Sequence, residues 1–281
     1  PYPAGTSHMW AEGCRYSYAI AVEWALFNGY TRYWKRDIGL KTGDPRTFDT
    51  YEKFEDAVKK QMAYQIKMAV ASVHVSEQAH MKKLPKTVRS ILTEGCVENG
   101  TDCLFGGARF NNGPGLETTG LTDLVDSMAA VKKLVYEDKV FTMDQLVKML
   151  EADFEGYEVE RQILINNAPD VDNIAKEMMD FSYEVTSSYK NLLGYSFVTG
   201  NVPVIANVPH GEVTCALPSG RKAGTPLADG VSPYTGYDKN GPTAIIKSVC
   251  TMDHSKSGCG NLLNMKLSPS LLETEQDKKN L

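Results

Sequence analysis

The most constraining feature of the sequence is a repeat of apolar residues every four positions in residues 51–75. This spacing puts the apolar side chains on one face of an α-helix. We interpret that face as a stripe packed into a core, which a chain of 281 residues is long enough to build. The stripe consists of Phe54, Val58, Met62, Ile66 and Val70.

Several other segments of the first two thirds carry helical signals. Residues 18–27 are mostly apolar and end at an Asn-Gly pair, which predicts a buried helix that stops at Gly29. Thr122, Thr142 and Asp172 are expected N-terminal caps, and Thr142 has the spacing of a capping box. Further helices are predicted at 85–97, 122–135, 142–152 and 172–193.

The character of the sequence changes after Gly194. The runs YSFVT, VPVIANV, TAIIKSV and NLLNMKL are short, β-prone and separated by Gly/Pro turns. We therefore expect residues 1–193 to be mainly helical and 194–281 to be strand-rich. Residues 98–120 are rich in Gly, Asn and Thr, and we interpret them as a long structured loop of the kind that often carries function.

Composition excludes several classes of protein. The net charge is −5 and no dense Lys/Arg block occurs, which argues against a nucleic-acid partner. No run of 18 apolar residues exists, so no membrane span is expected. The six cysteines form no Cys-x-x-Cys pair and no signal peptide precedes them, which predicts reduced thiols in the cytoplasm. Both ends read as cuts in a longer protein.

Three blocks of sequence, in order, resemble the glycyl radical enzymes of the pyruvate formate-lyase type. The first is VEWALFNG followed by KTGDPRTF. The second is CVENGTDCLFGGARFNN followed by GLTDLVDSMAAVKKLVYEDK, and the third, the most specific, is ALPSGRKAGTPLADGVSPYTGYDKNGPTAIIKSV. The loop GGARFNNGPGLETTG looks most like the arylacetate decarboxylases of this family.

The resemblance implies an α/β fold. Residues 1–281 would be an internal fragment of a ten-stranded α/β barrel, made of two five-stranded halves and surrounded by helices. It also implies a glycyl radical, installed by an S-adenosylmethionine-dependent iron–sulfur activating enzyme, and a cysteine that becomes a thiyl radical. No Arg-Val-Ala-Gly-Tyr-like loop occurs in the chain, so the radical glycine and its C-terminal domain are expected outside it.

Cys96, in the sequence Gly-Cys-Val-Glu, looks like the thiyl cysteine of the family. The family's thiyl loop, however, precedes the helix that matches AIAVEWALFNG, so it would lie before Pro1. Cys96 instead matches a second cysteine–glutamate pair just ahead of GGARFNN. We therefore interpret it as a small buried residue and expect no catalytic residue within the chain.

The resemblance does place substrate-binding residues in the chain. Glu117 is the first candidate, because a carboxylate beside the 122–135 helix could bind a substrate hydroxyl or simply order its loop. Val231 could line the pocket or pack in the core, and His8 could transfer protons or be an exposed terminal residue. Arg15 stands where relatives often have histidine and could pair with a carboxylate or lie on the surface. Arg109 could hold the loop.

The main hypothesis is a glycyl radical lyase that decarboxylates an arylacetate such as 4-hydroxyphenylacetate, the fragment alone being inactive. One alternative is elimination from a diol or choline-like substrate, or formate acetyltransfer. Another, of a different class, is a non-catalytic barrel remnant. A homodimer is expected, and whether a small subunit joins it stays open.

Overall fold

The computed structural model describes residues 6–10, 13–166, 171–266 and 273–280, in which helices surround a small parallel sheet. The helices are α1 (Tyr18–Leu26), α2 (Tyr51–Lys83), α3 (Thr87–Ile91), α4 (Leu121–Val131), α5 (Met143–Glu151), α6 (Glu158–Asn166), α7 (Val171–Ser188), α8 (Asn207–Glu212), α9 (Pro242–Val249) and α10 (Glu275–Asn280). The strands are β1 (Ser7–His8), β2 (Cys14–Ser17), β3 (Tyr30–Thr31), β4 (Arg36–Asp37), β5 (Phe110–Asn111), β6 (Gly115–Thr119), β7 (Val198–Asn201) and β8 (Gly260–Asn261).

Four strands form the central sheet in the order β2-β6-β7-β8, and all neighbours are parallel. One row across it joins Arg15, Glu117, Gly200 and Gly260 in register. Every residue of β6 is buried. The expected loop over 98–120 is therefore wrong at its end. Its Gly-Leu-Glu-Thr-Thr sequence hides the strand because it has no alternation of apolar and polar residues.

The predicted helical stripe is confirmed in α2. All five of its residues are buried, Phe54 completely, and the helix continues to Lys83. It packs against α1, β2 and α7. α1 is also confirmed, and its end is set by Gly29, which has a positive φ of 78°.

Two of the three predicted helix caps differ from the structure. The capping box of Thr142 with Gln145 is confirmed at the start of α5. Thr122, however, lies inside α4, where its hydroxyl donates to the Ser232 carbonyl oxygen at 2.8 Å. Gly120, with a φ of 72°, holds the cap position instead. Asp172 also lies inside its helix, and α7 ends at Ser188.

The expected strand-rich character of 194–281 is wrong for the described residues. Only β7 and β8 form strands of the sheet there, whereas TAIIKSV forms the helix α9. Gly241-Pro242 starts this helix, since proline fits the first helical turn and its fixed φ outweighs the β-branched residues that follow. Of the run NLLNMKL, only Asn261 belongs to a strand, and its last residue, Leu267, lies outside the described residues.

A buried arginine holds the chain between β7 and β8 in place. Arg221 is 1% exposed and donates to the carbonyl oxygens of Gly211 and Thr214 at 2.7 and 3.1 Å. Its Nε lies 4.0 Å from Asp123 Oδ1 on α4. Five guanidinium N–H groups allow one side chain to satisfy several loop carbonyls, so this arginine fixes the loop onto the helix layer.

We predict that Phe54→Ala lowers the free energy of unfolding by about 3–5 kcal/mol, because it opens a cavity in the stripe of α2. Met68→Ala, a control on the exposed side of the same helix, should cost less than about 1 kcal/mol. Urea unfolding of the two variants checks this. Equal losses would show that the stripe does not anchor the core.

Candidate functional site

The candidate site is built on an ion pair between two neighbouring strands. Arg15 on β2 and Glu117 on β6 occupy the same register position, and Arg15 Nη2 lies 2.7 Å from Glu117 Oε2. The Glu117 side chain is 5% exposed, whereas the Arg15 side chain is 30% exposed. The Arg15 side chain therefore reaches solvent, whereas the carboxylate that its Nη2 contacts is buried.

This pair lies on the side of the sheet that faces away from α7. Side chains alternate along a strand, so Tyr16 and Arg15 point in opposite directions. The Tyr16 hydroxyl lies 3.2 Å from the hydroxyl of Ser182 on α7. Leu116, which precedes Glu117, is fully buried in the hydrophobic core. The core thus takes one face of the sheet and Glu117 the other.

A glycine and a cysteine flank Glu117 on its other side. Gly200 of β7 is its partner in register, and a Cβ added there would lie 2.6 Å from Cys259 Cβ. Burial, and next the charge of Glu117, raises the pKa of the Cys259 thiol to about 12. The thiol is therefore protonated at neutral pH, and Gly200 leaves it room beside the sheet.

A histidine that the sequence analysis missed joins this face. Thr119 lies two residues after Glu117 and therefore on the same side of β6. Its hydroxyl lies 2.8 Å from Nδ1 of His210 on α8. Burial, and next the positive charge of Arg15, lowers the pKa of His210. Recognising β6 as a strand would have placed Thr119 beside Glu117, but nothing in the sequence points to His210.

Apolar side chains are exposed shortly after the end of β7. Val204 has a φ of 57°, which a β-branched residue rarely adopts, and it is 61% exposed. Ile205 is 70% exposed. Strained backbone of this kind is commonly retained at functional sites. The segment after β7 is therefore a candidate for a functional role.

Val231 lies in a different place, on the wall of a cleft of about 510 Å³. It is buried, and its N–H donates to the Leu262 carbonyl oxygen at 2.9 Å. Asp126 of α4 also lines the cleft. Burial, and next the charge of Asp123, raises the pKa of Asp126 to about 7.

His8 lies in a third place. Strand β1 pairs with β5, and His8 lines a small cavity together with Trp10 and His80. Burial, and next the positive charge of Arg89, lowers the pKa of His8. The structure therefore brings Glu117 to Arg15, but it assigns Val231 and His8 to two separate cavities. Their roles as substrate-binding residues remain predictions.

Cys96 is 3% exposed and packs with Cys103 and Ala108 in a small cluster apart from the main core. Burial raises the pKa of its thiol. A buried thiol with a raised pKa is a poor nucleophile, which agrees with a structural role. Arg109 lies on the surface, where its Nη1 contacts Glu94 Oε1 at 2.8 Å.

Metal binding and membrane insertion find no support in the described part of the chain. Within it, His, Cys, Asp and Glu side chains nowhere gather in groups of three that could hold a metal ion. No helix in those same ranges combines the length and apolar character that a membrane span requires.

Comparison with protein families decides the question of membership. Residues 1–211 match the model described as pyruvate formate lyase-like, and residues 227–281 match the model described as glycine radical. The chain belongs to the pyruvate formate lyase-like family. The second match corrects one boundary, because residues 227–281 belong to the glycine radical domain that the sequence analysis expected wholly outside the chain.

Relatives in this family share about a third of their residues with the chain. It is 36% identical over 267 residues to trans-4-hydroxy-L-proline dehydratase of Clostridioides difficile, covering 92% of this chain and 34% of that protein. It is 34% identical over 282 residues to isethionate sulfite-lyase of Desulfovibrio desulfuricans (strain ATCC 27774 / DSM 6949 / MB), covering 96% and 34%. A more distant relative, indoleacetate decarboxylase of Tractidigestivibacter scatoligenes, is 29% identical over 309 residues, covering 99% and 34%.

The glycerol-bound B12-independent glycerol dehydratase of Clostridium butyricum has the same fold. It superimposes with a TM-score of 0.92 at 34% identity, covering 98% of this chain and 36% of that one. This confirms the expected α/β barrel fold. The chain spans about a third of the length of the curated relatives it matches.

We predict that Asp126→Asn stabilises the protein more at pH 8 than at pH 5. The folded-state pKa of about 7 lies above the ordinary value of 3.8, so stability falls as pH rises through this interval and the carboxylate must ionise in the cleft. The neutral amide removes that penalty. Melting temperatures at the two pH values check this, with Asp56→Asn, an exposed position on α2, as control. A pH-independent effect would contradict it.

Proposed function

We propose that the intact protein is a glycyl radical lyase that eliminates water or another leaving group from a small hydroxylated substrate. The observation that supports it is the position of Glu117, a buried carboxylate on the sheet face opposite the core. Trans-4-hydroxy-L-proline dehydratase and isethionate sulfite-lyase share more identity with the chain than indoleacetate decarboxylase does.

In this proposal Glu117 accepts a hydrogen bond from a substrate hydroxyl. A carboxylate has about four acceptor sites, so contact with Arg15 and with a hydroxyl are compatible. His210, kept neutral near pH 7 by its lowered pKa, is close enough to Arg15 for its charge to be felt and could move a proton at the leaving group. The apolar side chains after β7 would exclude water, which radical chemistry requires.

The glycyl radical supplies the unpaired electron that starts hydrogen-atom abstraction. Residues 227–281 match the glycine radical model, and β8 of that segment pairs with β7 beside Gly200. This domain therefore joins the same sheet as Glu117. None of its glycines in the chain lies in an Arg-Val-Ala-Gly-Tyr-like sequence, so the proposed radical position is a residue outside these 281.

Decarboxylation of an arylacetate, such as 4-hydroxyphenylacetate, is the second candidate. It is favoured by the loop that contains Glu117 and by the indoleacetate decarboxylase among the relatives. Glu117 would then accept the hydrogen bond of a phenolic hydroxyl.

The proposal includes a partner and a location. An S-adenosylmethionine-dependent iron–sulfur enzyme would install the radical, and the protein would work as a cytoplasmic homodimer, with a small subunit only if it is a decarboxylase of that type. The 281 residues alone would be inactive.

We predict that the intact protein, activated anaerobically, releases water or sulfite from members of a panel of hydroxylated substrates. The panel contains trans-4-hydroxyproline, isethionate, glycerol, 4-hydroxyphenylacetate and indoleacetate. Carbon dioxide and a methylated arene would instead identify the decarboxylase. Product analysis by mass spectrometry distinguishes the two, and turnover of none of the five would contradict the proposal.

The role of Glu117 is checked on the substrate that turns over. Glu117→Gln should lower kcat/KM about 10- to 100-fold, the loss expected for a hydrogen bond to a charged group. Cys96→Ala is the matched control, because we place Cys96 away from substrate, and its kcat/KM should equal that of the wild type. Loss of turnover in Cys96→Ala with little effect of Glu117→Gln would reverse the two assignments.

A further inference from the structure

We propose that Arg15 is an anion-binding group, and that the substrate is a small hydroxylated molecule that also carries a carboxylate or a sulfonate. The inference rests on the proposed lyase function and narrows its substrate class. The observation that carries it is the unequal exposure of the ion pair. The Glu117 side chain is 5% exposed, whereas the Arg15 side chain is 30% exposed on the same sheet face.

The geometry of the pair orients Arg15. Its backbone is fixed in β2, and the contact of Nη2 with Glu117 Oε2 at 2.7 Å restricts where the guanidinium lies. A guanidinium is a rigid fork that matches carboxylate and sulfonate oxygens. Because Glu117 holds the fork in advance, a bound anion loses less arginine side-chain entropy.

His210 and Cys259, described neighbours of the pair on this face, add no charge to it near pH 7. His210 stands on the same face, and its pKa is lowered by burial and next by Arg15, so it adds no charge near pH 7. The Cys259 thiol is protonated because its pKa is raised to about 12. Glu117 contributes a negative charge to the cluster and is the more buried member of the pair.

Two recognition elements then lie side by side. Arg15 and Glu117 are neighbours across the sheet, so an anionic group at the guanidinium places an adjacent substrate hydroxyl within reach of the carboxylate. A diol such as glycerol satisfies only the second element. A hydroxy acid or a hydroxy sulfonate satisfies both, which is the chemical class that we assign.

The experiment measures equilibrium binding by calorimetry to the intact, unactivated protein, so that it does not depend on radical formation. The ligands are trans-4-hydroxyproline, isethionate, the amide of 4-hydroxyproline and glycerol. We expect trans-4-hydroxyproline or isethionate to bind. The amide of 4-hydroxyproline should bind about 10- to 100-fold more weakly than the anion that binds. The anion that binds more tightly shows whether the substrate carries a carboxylate or a sulfonate.

The variants separate recognition from folding. Arg15→Gln leaves a buried carboxylate without its cation and could unfold the protein. The double variant Arg15→Gln/Glu117→Gln replaces the ion pair with two neutral amides of similar shape, and Arg15→Lys keeps the charge without the fork. The control is Arg109→Gln, which removes an arginine from a surface pair with Glu94. Melting temperatures of all four verify that they are folded.

We expect the double variant to bind the anions about 10- to 100-fold more weakly than Glu117→Gln alone does, Arg15→Lys to leave glycerol binding unchanged, and Arg109→Gln to match the wild type. Equal anion affinity in Glu117→Gln and in the double variant would overturn the proposal. So would the absence of binding by every anion tested. If the activated enzyme turned over glycerol alone, the proposed substrate class would be wrong, but the proposed lyase function would still hold.

Discussion

The hydrogen bonding of β6 between two parallel neighbours is the constraint on which the rest of this structure depends. The strand contains only one apolar side chain, Leu116, yet all five of its residues are buried. Ladders to β2 and β7 satisfy its backbone groups, which would otherwise be costly to bury. They also determine which residues meet: Arg15 lies beside Glu117, and Gly200 lies beyond it.

Burying the Glu117 carboxylate costs free energy, and stability alone does not require the fold to bury it. The free-energy cost of removing a charge from water is offset only when the ion pair has good geometry. An apolar pair of similar shape would often stabilise the fold as well. Because the Arg15 side chain is 30% exposed, the pair serves another purpose. It keeps a negative and a positive group at fixed neighbouring positions on a surface that stays accessible, which a catalytic pocket requires and a core does not.

Periodicity predicted α2 well, and a mostly apolar run that ends at an Asn-Gly pair predicted α1, whereas the helix predicted over 85–97 is limited to Thr87–Ile91. Sequence patterns failed where neighbouring strands or a helix-starting proline, rather than the periodicity of the segment, determine the secondary structure. β6 is polar and is made a strand by its neighbours, and Pro242 turns a β-prone run into a helix. For the candidate site, the family resemblance gave Glu117, whose role is still a prediction. His210 could not be found, because only the fold brings α8 to Thr119. The comparisons also showed that residues 227–281 lie in the glycine radical domain, which the missing radical motif had concealed.

Electron paramagnetic resonance tests the central claim, that this chain works as part of a glycyl radical lyase. The intact protein would be incubated anaerobically with its activating enzyme, S-adenosylmethionine and a reductant, once with ordinary glycine and once with ¹³C-labelled glycine incorporated. We predict an organic radical signal whose hyperfine splitting changes with the label. The absence of that signal, under conditions in which a known glycyl radical enzyme is activated in parallel by its own partner, would contradict the claim.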